Sequence, residues 1–267
     1  MINYREIVNG LRQLGLNRDI PLLVHISTDL LPQVKGGAPT VLGAILTAVD
    51  NALLPSFTFR TQVIPESGPS ENDIQYGSGR ESNLNAEIFT SKLLADETYR
   101  DMAESMRHYP QSHHSNHPIL SFTGLGLDSA LDSQTIELPY QPVQVLCDLG
   151  GWVVFMDTDQ TSNFSIHLAE YLAGRKQFTR WALTSEGVVE CIHFPGCSDG
   201  FNKLTYHIQE EQRLTIVQGH SWQAYPLIEL VHTATDLLQK DPFSLLCNRL
   251  DCERCNLVRQ AVKKQTT

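Results

Sequence analysis

His167 and Glu170 stand three residues apart in the stretch Ser162-Asn163-Phe164-Ser165-Ile166-His167-Leu168-Ala169-Glu170. On a helix, residues at that spacing share one face. An imidazole there can act as a general base near neutral pH, and a carboxylate beside it can orient the ring or bind an ammonium group. A histidine that only packs in a core or caps a helix would be written with the same letters. What must position the pair is the sequence around it. The run Trp152-Val153-Val154-Phe155-Met156 predicts a buried strand. Ser162 or Asn163 can cap a following helix whose apolar residues continue through Leu168, Ala169, Tyr171 and Leu172. His167 is thereby expected just past the carboxyl end of a strand, where open α/β sheets bind ligands.

The preceding chain supplies the matching elements. Ile7, Leu11 and Leu14 form one apolar face that ends at Gly15, which predicts a helix with a glycine stop. Residues 21–26 read as a strand, Gly36-Gly37 opens a second helix, and residues 52–57 return as a strand. That succession implies a parallel, right-handed crossover. Residues 60–83 are rich in glycine, proline, serine and asparagine, too long for a plain connector, and are expected to form a lid over the site. Residues 97–108 predict a helix and 119–122 a strand. Residues 179–183, 188–193 and 214–217 predict short strands, and an apolar-periodic helix starts at Pro226. No internal repeat or linker divides the chain. One domain over 1–267 with a helical, cysteine-containing tail from about residue 226 is the simplest organisation.

Composition narrows the function. The 267 residues are 41% hydrophobic and 19% charged, as in soluble globular proteins. No apolar run is long enough to cross a bilayer and the first residues lack signal-peptide character, so a cytoplasmic setting without membrane association is expected. Thirty acidic against twenty basic residues give a formal charge of −10, which disfavours nucleic acid and suits a small cationic amine. No G-x-S-x-G elbow, Walker loop or H-E-x-x-H pair is present, and Gly124-Leu-Gly126 fails the dinucleotide fingerprint because Ser129 holds its third position.

The six cysteines are expected to be thiols or metal ligands rather than disulfides. Cys247, Cys252 and Cys255 are spaced C-x4-C-x2-C, with Cys197 or Cys191 available as a fourth ligand. Structural zinc is therefore one reading, though reduced, non-ligating thiols in a helical tail are the favoured expectation. His113, His114 and His117 lie in a polar loop with no carboxylate or cysteine at ligand spacing, so no metal is expected there.

Five segments together resemble the aminoglycoside 3-N-acetyltransferases, over about residues 5 to 260. They are His25-Ile26-Ser27 with Gly36-Gly37, Leu54-Pro55-Ser56-Phe57-Thr58, Ser115 to Phe122, Asn163 to Glu170, and Phe194-Pro195-Gly196-Cys197-Ser198. The resemblance implies an α/β fold with a mixed, largely parallel central sheet flanked by helices. It also implies transfer of acetyl from acetyl-coenzyme A to an amine of an amino sugar, polyamine or similar acceptor. The family's catalytic base falls on His167. Ser165 matches a hydroxyl near the thioester, where it could donate to a developing oxyanion, and Glu170 is the orienting or ammonium-binding carboxylate. His25, Ser27, Gly36 and Gly37 are expected to cradle the coenzyme, since free N–H groups at a helix start suit a pyrophosphate. Ser121 and Phe122 are expected as coenzyme or packing contacts, and Tyr76, Glu87 and His117 as substrate contacts. No cysteine falls in a catalytic segment, which favours direct transfer over a covalent acetyl-enzyme.

The chain departs from the family where it has Phe164 in place of a small or hydroxyl residue, Asp157 in place of a glycine, Ile26 in place of a serine and Pro32 in place of a glycine. Bulk at 164 is expected to narrow the acceptor pocket. The departures at Ile26, Pro32 and Phe164 also motivate a rival reading, a non-catalytic relative that binds a ligand or protein. Oligomeric state is not legible from the sequence.

Overall fold

The computed structural model describes residues 1–265. In chain order the elements are α1 (Tyr4–Gln13), β1 (Leu22–Ile26), α2 (Gly37–Ala48), β2 (Ala52–Pro55), β3 (Gln62–Val63), α3 (Glu97–Arg107), β4 (His113–His114) and β5 (Phe122–Leu125). They continue with α4 (Asp128–Asp132), α5 (Gln141–Asp148), β6 (Trp152–Met156), α6 (Ser165–Leu172), β7 (Phe178–Thr184) and β8 (Gly187–Phe194), and end with β9 (Arg213–Val217), β10 (His220–Pro226), α7 (Leu227–Lys240) and α8 (Glu253–Gln265).

Seven strands form the central sheet in the order β4-β5-β2-β1-β6-β10-β9, and β3-β7-β8 form a second, three-stranded sheet. The sheet is mixed and flanked by helices, as expected. Parallel pairing is confined to the middle, where β1 lies between β2 and β6, while the pairs outside them are antiparallel. The three central strands are apolar on both sides because helices cover both faces. Side chains alternate between two cores. Leu22, Val24, Ala52, Leu54, Val154 and Met156 pack under α1, α2 and α3, whereas Leu23, Leu53, Val153 and Phe155 pack under α5, α6 and α7. A period of two along each strand thus builds two layers from one sheet.

Local signals account for most boundaries. Asn3 caps α1 by accepting from the amides of Arg5 and Glu6, and Glu6 returns a carboxylate to the Asn3 amide, a capping box. Between β9 and β10, Gln218 and Gly219 both have positive φ, which fits a tight hairpin between twisted antiparallel strands. Three expectations are corrected. The strand placed at 119–122 lies at 122–125 instead, because His117 Nδ1 accepts the amides of Ile119 and Leu120 and folds that segment into a turn. β10 was not foreseen, since its alternation of Trp222, Ala224 with Ser221, Gln223 is half polar. The 60–83 segment is pinned rather than poised as a lid. β3 pairs with β7, Asn72 hydrogen-bonds Thr179 in both directions, and Asp73 is ion-paired to Arg180 and Arg254.

Candidate functional site

β6 ends at Met156, and Asp157 turns the chain with φ +58°. A left-handed backbone of this kind favours glycine, the residue that the sequence resemblance leads one to expect here. Asp157 tolerates it while its carboxylate meets His220 Nδ1 at 2.9 Å. The chain then passes a short 3-10 turn at Gln160–Ser162 into α6. Asn163 supplies the cap, its Oδ1 accepting from the amide of Ser165 at 3.0 Å and from its hydroxyl at 2.6 Å.

α6 is short and buried on nearly every side. His167 is 6% exposed and Glu170 3%. His167 Nδ1 meets Glu170 Oε2 at 2.6 Å, and Glu170 Oε1 accepts from Arg175 Nη1 at 2.9 Å. Arg175 reaches back because α6 ends in a left-handed glycine. Gly174 has φ +73° and donates to Tyr171 O, while Arg175 N donates to Glu170 O, the paired bonds of a Schellman cap. The guanidinium is anchored in turn on the carbonyls of Pro242 and Ser244. Burial alone would push the Glu170 carboxyl up. The hydrogen bond and charge from His167 and the Arg175 guanidinium outweigh it and hold the carboxyl below its ordinary range. A carboxylate accepting at Nδ1 fixes the neutral ring with its proton there, leaving Nε2 as the basic nitrogen.

His167 lines a cavity of about 160 Å³, together with His25, Phe57, Tyr99, Phe164, Phe194 and Arg254, among others. Phe164 stands against His167 with ring centroids 5.7 Å apart and against Phe57 at 4.9 Å, so its bulk narrows the space in front of the imidazole. A pocket of about 80 Å³ shares His25, Pro55, Tyr99 and Ser162 with this cavity and continues along α3 through Thr98 and Met102. Further along α3, at Asp101, Glu104 and Ser105, lies a groove of about 730 Å³ whose opposite wall is Thr28, Leu31 and the N-terminus of α2 at Gly37. The three spaces follow one flank of the molecule from the start of α2 to His167.

His25 faces both inner pockets. It is 5% exposed, stacks on Phe155 at 5.5 Å, and its Nε2 has no partner among the described residues. Burial pushes its pKa down to about 3, so the ring is neutral. Gly37 borders the outer groove, with φ +59° and no heavy atom within 4 Å of where a Cβ would stand. Gly36 beside it has φ +89°. Ser27 makes the turn after β1, its hydroxyl accepting from Asp29 N at 3.2 Å.

Other residues singled out from sequence stand away from the cavity lining. The Ser165 hydroxyl is committed to Asn163. Ser121 donates to the Ser56 carbonyl beneath the sheet end, and Phe122 is a buried packing residue touching Phe57 and Phe164. His117 is 1% exposed and builds the 117–120 turn. Tyr76 packs edge-on to Trp181, and Glu87 is ion-paired to Arg60. Reading the sequence missed Tyr99, Arg175 and Arg254. Tyr99 sits on the amphipathic helix α3, where it reads as core; burial, with Asp96 nearby, pushes its pKa up to about 12. Arg175 had a signal, a glycine stop followed by a basic residue.

Comparison with known proteins agrees with this fold. The chain is 27% identical over 180 residues to the SPbeta prophage-derived aminoglycoside N(3')-acetyltransferase-like protein YokD of Bacillus subtilis (strain 168), a match covering 62% of this chain and 64% of that one. The aminoglycoside acetyltransferase AAC(3)-IVa apoenzyme superposes with a TM-score of 0.78 at 21% identity, covering 97% of this chain and 98% of the other. That enzyme is also known as a histidine-to-alanine variant in complex with a gentamicin, with a TM-score of 0.76 at 19% identity and 97% of both chains covered. AAC-IIIb, solved in binary complex with CoASH, gives 0.70 at 16% identity, covering 89% of this chain and 96% of that one. The family model for aminoglycoside 3-N-acetyltransferase matches residues 23–239. The chain belongs to the aminoglycoside 3-N-acetyltransferase family, a family of acyltransferases.

Proposed function

We propose that this chain transfers an acetyl group from acetyl-coenzyme A directly to an amine, with His167 as the general base. The observation that carries the reading is the buried His167–Glu170–Arg175 line, which commits Nδ1 and leaves Nε2 for the cavity. An amine is mostly protonated near neutral pH and attacks a thioester only once a proton is removed, so a base fixed in one tautomer is what the step requires. Glu170 uses both oxygens within the protein, which favours orienting the imidazole over binding substrate. Arg175 keeps Glu170 ionised, so the imidazolium formed during transfer gains a carboxylate partner without rearrangement. Direct transfer is supported by the cavity lining, which contains no cysteine among the described residues. Burial also pushes the Cys147 and Cys191 thiols up to about 12.

The outer groove suits the coenzyme. The Gly37 amide donates to Val34 O and Pro39 has none, so the start of α2 offers a pyrophosphate close backbone approach at Gly37 and the positive end of the helix dipole rather than a row of free amides, and the inner pockets past His25 lead towards His167. The unpartnered Nε2 of His25 is a polar contact for the arm of the coenzyme.

The acceptor side has a particular character. The cavity is smaller than the roughly 300–1,000 Å³ typical for drug-sized ligands, is walled by phenylalanines, and among the described residues is lined by no carboxylate but by Arg254. A single amino group on a compact ring fits such a space better than a whole polycation. The test is thiol release from acetyl-coenzyme A across a panel of aminoglycosides and small aryl or alkyl amines, with the product identified by mass. Release with at least one amine and addition of one acetyl to it are expected. Absence of release with every amine, together with no binding of acetyl-coenzyme A at millimolar concentration, would instead favour the non-catalytic reading.

A further inference from the structure

Four cysteines converge from three separate segments. Cys197 lies in the loop leaving β8, Cys247 in the irregular stretch after α7, and Cys252 and Cys255 flank the start of α8, three residues apart and so on one face. Their sulfurs all lie within 4.8 Å of one another. All four are free thiols, and Cys247, Cys252 and Cys255 are buried. Thiolates about 2.3 Å from a tetrahedral zinc stand about 3.8 Å apart, so the cluster closes on an ion with shifts on the order of 1 Å. Cys191, the other candidate read from sequence, is buried inside β8 and takes no part.

The surroundings suit thiolates. The Asp199 amide is directed at the Cys197 sulfur. The Arg249 guanidinium lies against the sulfurs of Cys247 and Cys252 and is held by Asp199 at 2.8 Å. N–H groups and a guanidinium aimed at sulfur orient ligands and offset the negative charge of a tetrathiolate centre. Cys197 is only half-buried and opens on a cleft bordered by Asp199, Asp251 and Glu253, a route for a cation to enter.

We propose that Cys197, Cys247, Cys252 and Cys255 bind one structural zinc ion that clips the C-terminal helix to the wall of the His167 cavity. Phe194, Pro195, Gly196 and Ser198, beside Cys197, line that cavity, as does Arg254, which lies between two of the ligands. The clip therefore joins residues 241–252, which have no regular secondary structure, to the site. The metal assignment does not depend on which reaction occurs there.

The test uses the full chain produced in zinc-containing medium and exhaustively dialysed. Elemental analysis is expected to find about one zinc per chain, released stoichiometrically as a mercurial titrates the thiols. Cobalt exchange is expected to give the intense visible bands of a tetrahedral thiolate site. Cys252→Ser with Cys255→Ser should lose the metal, whereas Cys147→Ser, outside the cluster, should keep it. Stripping zinc from the wild type should expose residues 241–252 to limited proteolysis. Zinc-free wild type, disulfides among these four cysteines in freshly purified protein, or retention of zinc by the double variant would each overturn the proposal.

Discussion

The cavity at His167 and the groove at the start of α2 are built on opposite principles. Behind the His167 ring each polar group is spoken for, Nδ1 by Glu170, both Glu170 oxygens by His167 and Arg175, and Arg175 by two carbonyls, so that Nε2 alone is left to the cavity. At the groove the notable feature is backbone, a left-handed glycine pair with open space where Gly37 has no side chain. A base must be aimed to a few tenths of an ångström, and a chain of buried hydrogen bonds does that. A long coenzyme needs surface, close approach and a helix start. On the proposed reading, catalytic precision is concentrated in the eleven residues from Ser165 to Arg175, and coenzyme binding is spread along α2 and α3.

That contrast can be broken at several points. The largest effect is expected at the base: His167→Ala should lower kcat about 10²- to 10⁴-fold, with acetyl-coenzyme A affinity by titration little changed. A parallel loss of affinity would show the two regions to be one.

Next in size is a pH effect on stability. Burial pushes the pKa of both His25 and His117 down to about 3, whereas the unfolded chain titrates near 6.5. The unfolded state then binds more protons below 6.5, so their contribution is intact above that pH and is lost on acidification. The slope is about 1.4 kcal/mol per pH unit for each histidine. Denaturant midpoints between pH 6.5 and 5, above the range where Glu170 titrates, should fall accordingly, and less steeply in His117→Asn. A flat profile would mean that these rings are hydrated.

The smallest effect belongs to the groove. Gly37→Ala places a methyl where no protein atom lies within 4 Å, costing about 1–2 kcal/mol for the left-handed backbone. The KM for acetyl-coenzyme A should rise while kcat holds. An unchanged KM would move the coenzyme elsewhere.

Legibility in the sequence followed the same division. His167 and Glu170 could be placed together because helical spacing is local, and the central strands because unbroken apolar runs mark strands buried on both faces. The partners brought by tertiary folding were not legible. Arg175 returns through a helix cap, Tyr99 looks like any core residue of an amphipathic helix, and Arg254 arrives from a distant segment. Tyr76 and Glu87, at the end of the long loop, have the chemistry of substrate contacts, but Tyr76 packs on Trp181 of the small sheet and Glu87 pairs with Arg60. The bulk of Phe164 is legible from its letter alone, and its ring packs edge-on against the imidazole. No described helix is long and apolar enough to cross a membrane.

The account turns on Glu170 acting only through the imidazole, and kcat for wild type, Glu170→Gln, His167→Ala and the double variant tests it most directly. Losing a charge-assisted hydrogen bond of about 1.5–3 kcal/mol should cost about 10- to 100-fold in the wild-type background. Once His167 is gone, the same change should cost almost nothing. An equal loss in both backgrounds would contradict the account and make Glu170 a direct contact of the substrate.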